Sequence, residues 1–445
     1  MPKFAPPSGF DDVLPDQYRR RQEMIRVIRE TYESFGFEGM DTPALETLEN
    51  MVRKGGGENE KLMFRVLKRG AELERARSTG GELADLGLRF DLTVPLARFY
   101  ATHRATLPAV FKRYQIGPVW RAERAQRGRS RQFVQCDLDV LGSASMAVEA
   151  EVISAATTAL VRLGFADLTV RLNSRPLLTL LVRSFHVPEE HLGAAITTID
   201  KLDKTPPDAV RTELTKKGVP EAAVEEMLAL HARPRTDLLT EVEMRAKADG
   251  APLAAQLREV LKLTSLPPAA RIVFDPFLAR GLDYYTGPVF EIVGAGETFS
   301  LGGGGRYDDL VERFAGVRVP ACGFAIGFER VYTLMDERGM FTATARAADV
   351  LVAVPSAVAA GEALRIAADL RAAGLRVDGY PSAGKLGSQF ELAERKGIPF
   401  AVVADPEKLR TGTFEVRDLA ARQSTAVPRP ELSTWLRTRL ASLLN

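Results

Sequence analysis

Apolar residues Met24, Ile25, Ile28 and Tyr32 recur at helical spacing, so the pattern predicts a helix over about 16–35, entered through the turn-rich Ser8–Pro15 and stopped at Gly36. Phe37–Pro43 then suits a short strand ended by its proline. Two longer extended runs, Val110–Trp120 and Gln132–Leu141, flank a polar, basic loop over Ala122–Ser130 and predict a hairpin. From about 176 to 266 the period changes to Leu/Ala-rich amphipathic segments broken at Pro188, Pro206–Pro207 and Pro220 and ended by Pro267-Pro268, the pattern of an all-helical insertion between two halves of one unit. After Arg346 strand and helix alternate: Asp349–Val354, Ala357–Ala373, Leu375–Tyr380, Ser388–Lys396 and Phe400–Ala404. That β-α-β-α-β order implies a largely parallel, helix-covered sheet in a separate C-terminal domain. The expected divisions are 1–175, 176–266, 267–335 and 347–445.

Composition narrows the class. The 445 residues are 45% hydrophobic and 27% charged, with no low-complexity tract, as in globular proteins of several units. No run approaches the ~18–20 apolar residues of a bilayer span, and the N-terminus has no signal-peptide core, so the expected compartment is cytoplasmic, without membrane partners. Cys136 and Cys322 lie far apart without ligand spacing, and His103, His186, His191 and His231 form no metal-binding pair. Catalysis is therefore expected from arginines and carboxylates. Net charge is only +2, but the basic residues cluster: residues 111–133 hold seven Lys/Arg against one acid, Glu123. Such a density calls for anions or solvent to neutralise it.

Five further segments carry chemistry. Arg280-Gly281-Leu282-Asp283-Tyr284-Tyr285 sets an anion handle beside two phenols. Gln135, Asp137 and Asp139 alternate on the predicted return strand, so all three project to one face. Asp91 and Thr93, before Pro95, suit a strand-to-helix cap. Gly302–Gly305, leading to Tyr307, lets backbone approach a ligand closely; it lacks the lysine of a P-loop. Pro320–Arg330 is a glycine-punctuated apolar strand leading into a helix.

Taken in order, these segments resemble the histidyl-tRNA synthetases over essentially the whole chain. The resemblance implies an α+β fold: a class II antiparallel sheet flanked by helices, with the helical insertion and a C-terminal α/β anticodon-binding domain. Phe37–Pro43 is similar to class II motif 1, which builds a dimer interface, and a homodimer is implied. The hairpin resembles motif 2 and Pro320–Arg330 motif 3. By that resemblance Arg121 and Arg280 are catalytic, meeting the α-phosphate of ATP from opposite sides. Glu123 and Phe133 hold adenine, Arg129 reaches the outer phosphates, and Arg330 stacks on adenine and meets the γ-phosphate. Histidine is held by Asp91, Thr93, Arg121, Gln135, Asp139, Arg280, Tyr284, Tyr285 and Tyr307, with Asp139 on the imidazole and Tyr284 or Tyr285 completing the contact. Many members carry glutamate at the position of Asp139. Arg124 and Gln126 are the residues expected to meet the acceptor end of tRNA(His). Mg2+ is expected on the ATP phosphates, with no metal ligated by the protein alone.

The resemblance thus implies a histidine–tRNA ligase that forms histidyl-adenylate and pyrophosphate from L-histidine and ATP, then transfers histidine to tRNA. A histidine-sensing regulatory subunit of ATP phosphoribosyltransferase shares the core, but that family typically lacks the C-terminal domain and erodes the arginine corresponding to Arg280. A tRNA-sensing module would have degraded ATP contacts. The segment 382–396 is less basic than the family's usual anticodon-facing helix, which implies modest anticodon affinity.

Overall fold

In the computed structural model, residues 4–51, 62–124, 130–202, 205–233, 238–280, 285–341 and 346–443 are described. Two compact units are present: Met1–Asp11 with Met24–Leu334, and Asp12–Glu23 with Met335–Asn445. The strands of the first unit are β1 (Glu38–Gly39), β2 (Leu45–Thr47), β3 (Arg65–Leu67), β4 (Ala84–Leu88), β5 (Phe111–Trp120), β6 (Gln132–Leu141), β7 (Leu168–Ser174), β8 (Ala270–Phe274), β9 (Pro288–Val293), β10 (Ser300–Arg306) and β11 (Ala321–Ile326). Eight of them form one sheet in the order β1-β5-β6-β11-β10-β9-β7-β8. The six central strands pair antiparallel, while β1 on β5 and β7 on β8 are parallel edges. A separate small sheet, β2-β4-β3, was not apparent in the hydrophobic pattern because its strands are short and its two edge strands mostly exposed.

Register gives the large sheet two unlike faces. One carries the rows Tyr114, Leu138, Phe324, Gly304, Phe290, Leu172 and Ile116, Cys136, Ile326, Gly302, Ile292, Val170. Phe290 and Phe324 stack across the bare Gly304 with centroids 5.9 Å apart. The helix Ala147–Arg162, buried along most of its length, packs on this face. It is tied there by the buried ion pair of Glu149 with Arg306, at 2.6 Å, and by Glu151 with Lys112, also at 2.6 Å. The opposite face presents Arg113, Gln115, Gln135, Asp137, Asp139, Gly303, Glu291 and Arg171. The apolar face holds the sheet in place; the polar face is left for chemistry.

The run 176–266 forms helices Arg175–Ser184, Glu189–Ile199, Pro207–Lys216, Glu221–His231 and Leu238–Leu263. Pro188, Pro206 and Pro220 are N-caps, where a missing N–H costs no intrahelical bond, and the last helix is kinked at Lys247.

In the second unit β12 (Val350–Ala353), β13 (Val377–Gly379), β14 (Phe400–Val403), β15 (Thr413–Asp418) and β16 (Gln423–Pro428) lie in the order β13-β12-β14-β15-β16. The first three are parallel as expected, but β15 and β16 add an antiparallel hairpin, so the sheet is mixed and not largely parallel. The final strand escapes sequence reading because it is an exposed edge with a single buried residue, Val427, and little apolar alternation.

Candidate active site

Arg121 leaves the end of β5, where its backbone N–H donates to the Arg131 carbonyl at 2.8 Å and closes the hairpin. Its Nε donates to the Phe90 carbonyl at 3.1 Å, and its guanidinium carbon lies 5.0 Å from the centre of the Phe133 ring. Backbone and ring together aim the fork. Arg280 ends the segment 275–280, in which Phe277, Leu278 and Ala279 are buried. The Asn173 amide fixes that segment by donating to the carbonyls of Pro276 and Leu278, both at 3.0 Å.

Arg280 Nη1 lies 3.6 Å from Glu291, which in turn pairs with Arg171 at 2.9 Å, and Arg171 also pairs with Asp275. This chain of charges carries the guanidinium across the strands until it rests over Gly303, where any Cβ would overlap it. The glycine run is therefore a central strand, not a loop. Its bare backbone makes room for a protein arginine at Gly303, and Gly302 and Gly303 also line the cleft in which that arginine lies. Gly304, next along, could not hold a Cβ either, because the Gly323 carbonyl stands in that place.

Arg121 and Arg280 line one cleft of about 320 Å³, together with Glu123, Arg124, Phe133, Gln135, Glu329 and Arg330. Arg330 lies in the first turn of the helix Phe328–Glu337; its Nη1 donates to the Ser300 carbonyl at 3.4 Å and its guanidinium faces the Phe299 ring at 5.7 Å. Guanidinium groups converging on a partly apolar cleft suit a polyphosphate joined to a flat ring.

Asp91, Thr93, Asp139 and Tyr307 are buried. Asp91 Oδ1 accepts from the Val94 N–H at 3.1 Å and so caps the helix Thr93–His103. Burial pushes its carboxyl up to about 6, against the pull of the Val94 N–H, Arg121 and Arg113. The Tyr307 hydroxyl donates to Asp139, whose other oxygen lies 2.7 Å from Arg113 Nη2. Asp139 thus already has two protein partners, which the sequence reading did not foresee. Burial raises the Asp139 and Asp137 carboxyls, with Arg113 opposing in both cases. Tyr285 is half-buried, packed beside Tyr307 and the helix Thr93–His103. Tyr284, Arg129 and Gln126 lie outside the described residues.

Sequence reasoning missed Arg113, Gln115, Arg171, Glu291, Phe299 and Glu329. On a single strand, Arg171 or Glu291 looks like ordinary solvent exposure; only cross-strand register joins them beneath Arg280. Glu329 Oε1 accepts from the Val134 N–H at 3.1 Å and ties the helix start to the hairpin.

An eight-stranded sheet, antiparallel at its centre, with arginines from the hairpin and from a terminal helix over its polar face, defines a class II aminoacyl-tRNA synthetase catalytic domain. The histidyl-tRNA synthetase family model matches residues 9–331, and an anticodon binding domain model matches 349–439. A histidine–tRNA ligase of Leifsonia xyli subsp. xyli is 43% identical over 84% of this chain and 89% of its own length. That of Gloeobacter violaceus is 35% identical over 99% and 100% respectively. The crystal structure of histidyl-tRNA synthetase from a Nostoc species superposes with a TM-score of 0.84 at 28% identity, covering 99% of this chain and 100% of that one. The chain belongs to the histidyl-tRNA synthetase family.

Proposed function

We propose that the protein is a histidine–tRNA ligase whose adenylation step runs in the cleft between Arg121 and Arg280. The observation that carries this reading is the convergence of those two arginines, from distant parts of the chain, on one cavity. The histidine carboxylate attacks the α-phosphorus of ATP in line, forming the histidyl-adenylate and expelling pyrophosphate. Negative charge shifts onto the oxygens around that phosphorus, and the two guanidinium forks stabilise it. Neither arginine needs to move a proton, so positioning and fixed charge supply the catalysis.

Glu123 and Phe133 take the adenine end, while Arg330, with Arg129, takes the outer phosphates. The histidine ammonium goes to Asp91, Thr93 and Gln135, and the imidazole to Asp139 and Tyr307, with Tyr284 or Tyr285 completing the ring contact. Magnesium bound with ATP would neutralise charge on the outer phosphates, beside the Glu123 and Glu329 carboxylates that line the cleft. The second step passes histidine to the terminal ribose hydroxyl of tRNA(His), with Arg124 and Gln126 meeting the acceptor end and the second unit the anticodon. A cytoplasmic homodimer is the working state. Among the described residues, no helix is long and apolar enough to cross a membrane.

A purely histidine-sensing regulatory protein would need the amino-acid pocket but not the ATP-facing arginines, and Arg121, Arg280 and Arg330 converge here. ATP–pyrophosphate exchange measured with each of the twenty amino acids tests the proposal. Exchange with histidine alone is expected; no exchange with any amino acid would overturn it.

A further inference from the structure

The polar face of the sheet buries a charge cluster that the phosphate clamp does not use. Arg113 is fully buried, with Asp139 2.7 Å away, and register sets Gln115 and Asp137 opposite one another two residues along the same strands. Among the described residues, Arg113 Nε and Nη1, Asp137 Oδ1 and Gln115 Oε1 have no hydrogen-bond partner. Buried polar atoms are rarely left so, and these sit on β5 and β6, the strands that carry Arg121 and Gln135 to the cleft. Gly323, opposite Asp139 on β11, has no room for a Cβ because the Asp139 carboxylate occupies that position.

We propose that Arg113 is the specificity-determining positioning residue of the amino-acid pocket, balancing Asp137 and Asp139 so that the pocket admits a neutral imidazole and turns away a cationic side chain. This rests on the histidine-activating reading above. Without Arg113, two neighbouring carboxylates would face the side-chain end with no buried cation between them, an environment that favours an imidazolium. With it, Asp139 is a fixed acceptor for one ring N–H, and the idle N–H groups of Arg113 repel a positive charge. The other groups bearing on the cluster are Asp91 and Arg121 at the cleft end, Tyr307 and Cys322 across β10 and β11, and Tyr32 from the helix Pro15–Ser34. Asp91 titrates in the same range and Arg113 pulls its carboxyl down, so loss of Arg113 leaves Asp91 more protonated at pH 6.0 and by itself raises the KM ratio, opposite in sign to the change expected from the side-chain pocket.

The experiment is the KM for histidine in ATP–pyrophosphate exchange at pH 6.0 and pH 8.0. An imidazole pKa of about 6.5 leaves roughly a quarter of histidine neutral at the lower pH, so binding of the neutral form alone makes KM at least about fourfold higher there. Arg113→Gln is expected to bring that ratio to about one or below, and Arg113→Lys to restore it. The double variant Arg113→Gln with Asp137→Asn, which removes one acid together with the cation, serves even if Arg113→Gln alone fails to fold, and its ratio is expected to fall below that of the unaltered protein. Exchange with histidine but an unchanged ratio in every folded variant that lacks the Arg113 guanidinium would overturn the proposal while leaving the ligase reading intact. No amino-acid-dependent exchange in the unaltered protein would overturn that reading itself.

Discussion

The Arg280 guanidinium lies over Gly303, in the space a Cβ at that position would fill. The neighbouring Gly304 is hemmed in by the Gly323 backbone instead. The two residues share a strand but face opposite sides of the sheet, and their substitutions should part accordingly.

Gly303→Ala should fold, because a flexible side-chain end can yield, but it should displace Arg280. Histidine-dependent exchange is expected to fall by on the order of a hundredfold with little change in melting temperature. Gly304→Ala confronts an immovable strand and also the stacked Phe290 and Phe324. Its expected result is loss of soluble, folded protein. Equal effects of the two substitutions on folding would contradict this distinction.

Glu149 and Arg306 form a pair buried beneath the sheet, with 0% and 6% side-chain exposure. Glu149→Ala leaves a guanidinium without its main counter-charge and should cost about 3–5 kcal/mol in unfolding free energy. Chemical denaturation checks this; a change below about 1 kcal/mol would mean that solvent reaches Arg306.

Asp91 should be a stability liability. Its folded carboxyl sits at about 6 against an ordinary 3.8, so the favourable contribution of the protonated form is present below pH 4 and lost as the pH rises through about 6. Asp91→Asn keeps an oxygen to cap Val94 and should raise stability at pH 8 by on the order of 2–3 kcal/mol, with no gain below pH 4. The same variant should bind histidine more weakly. Thermal melts across that pH range, run beside histidine titrations, test both halves; a gain that persists undiminished at pH 3.5 would refute the electrostatic cause.

Much of this was legible in the chain. The hairpin β5–β6 was visible because strong alternation brackets a basic loop, and the strands fall within a residue of their expected ends. The helices of 175–263 announced themselves through prolines that became N-caps. Arg121, Arg280 and Arg330 could be named from their motifs. What could not be read is whatever depends on register: the support of Arg280 by Glu291 and Arg171, and the capture of Asp139 by Arg113 and Tyr307. Those partners lie from about ten to more than a hundred residues apart on different strands and loops, and nothing local in a sequence pairs them. β16 was missed for a different reason, since an exposed edge strand has no apolar face to display.

The clamp is tested most directly by single-turnover formation of histidyl-adenylate in Arg280→Ala, with histidine affinity measured separately by calorimetry. Removing one preorganised charge from the transition state should raise the barrier by about 2–4 kcal/mol, a loss of roughly 30- to 1,000-fold in rate, while histidine still binds. An adenylation rate equal to that of the unaltered protein would contradict the account.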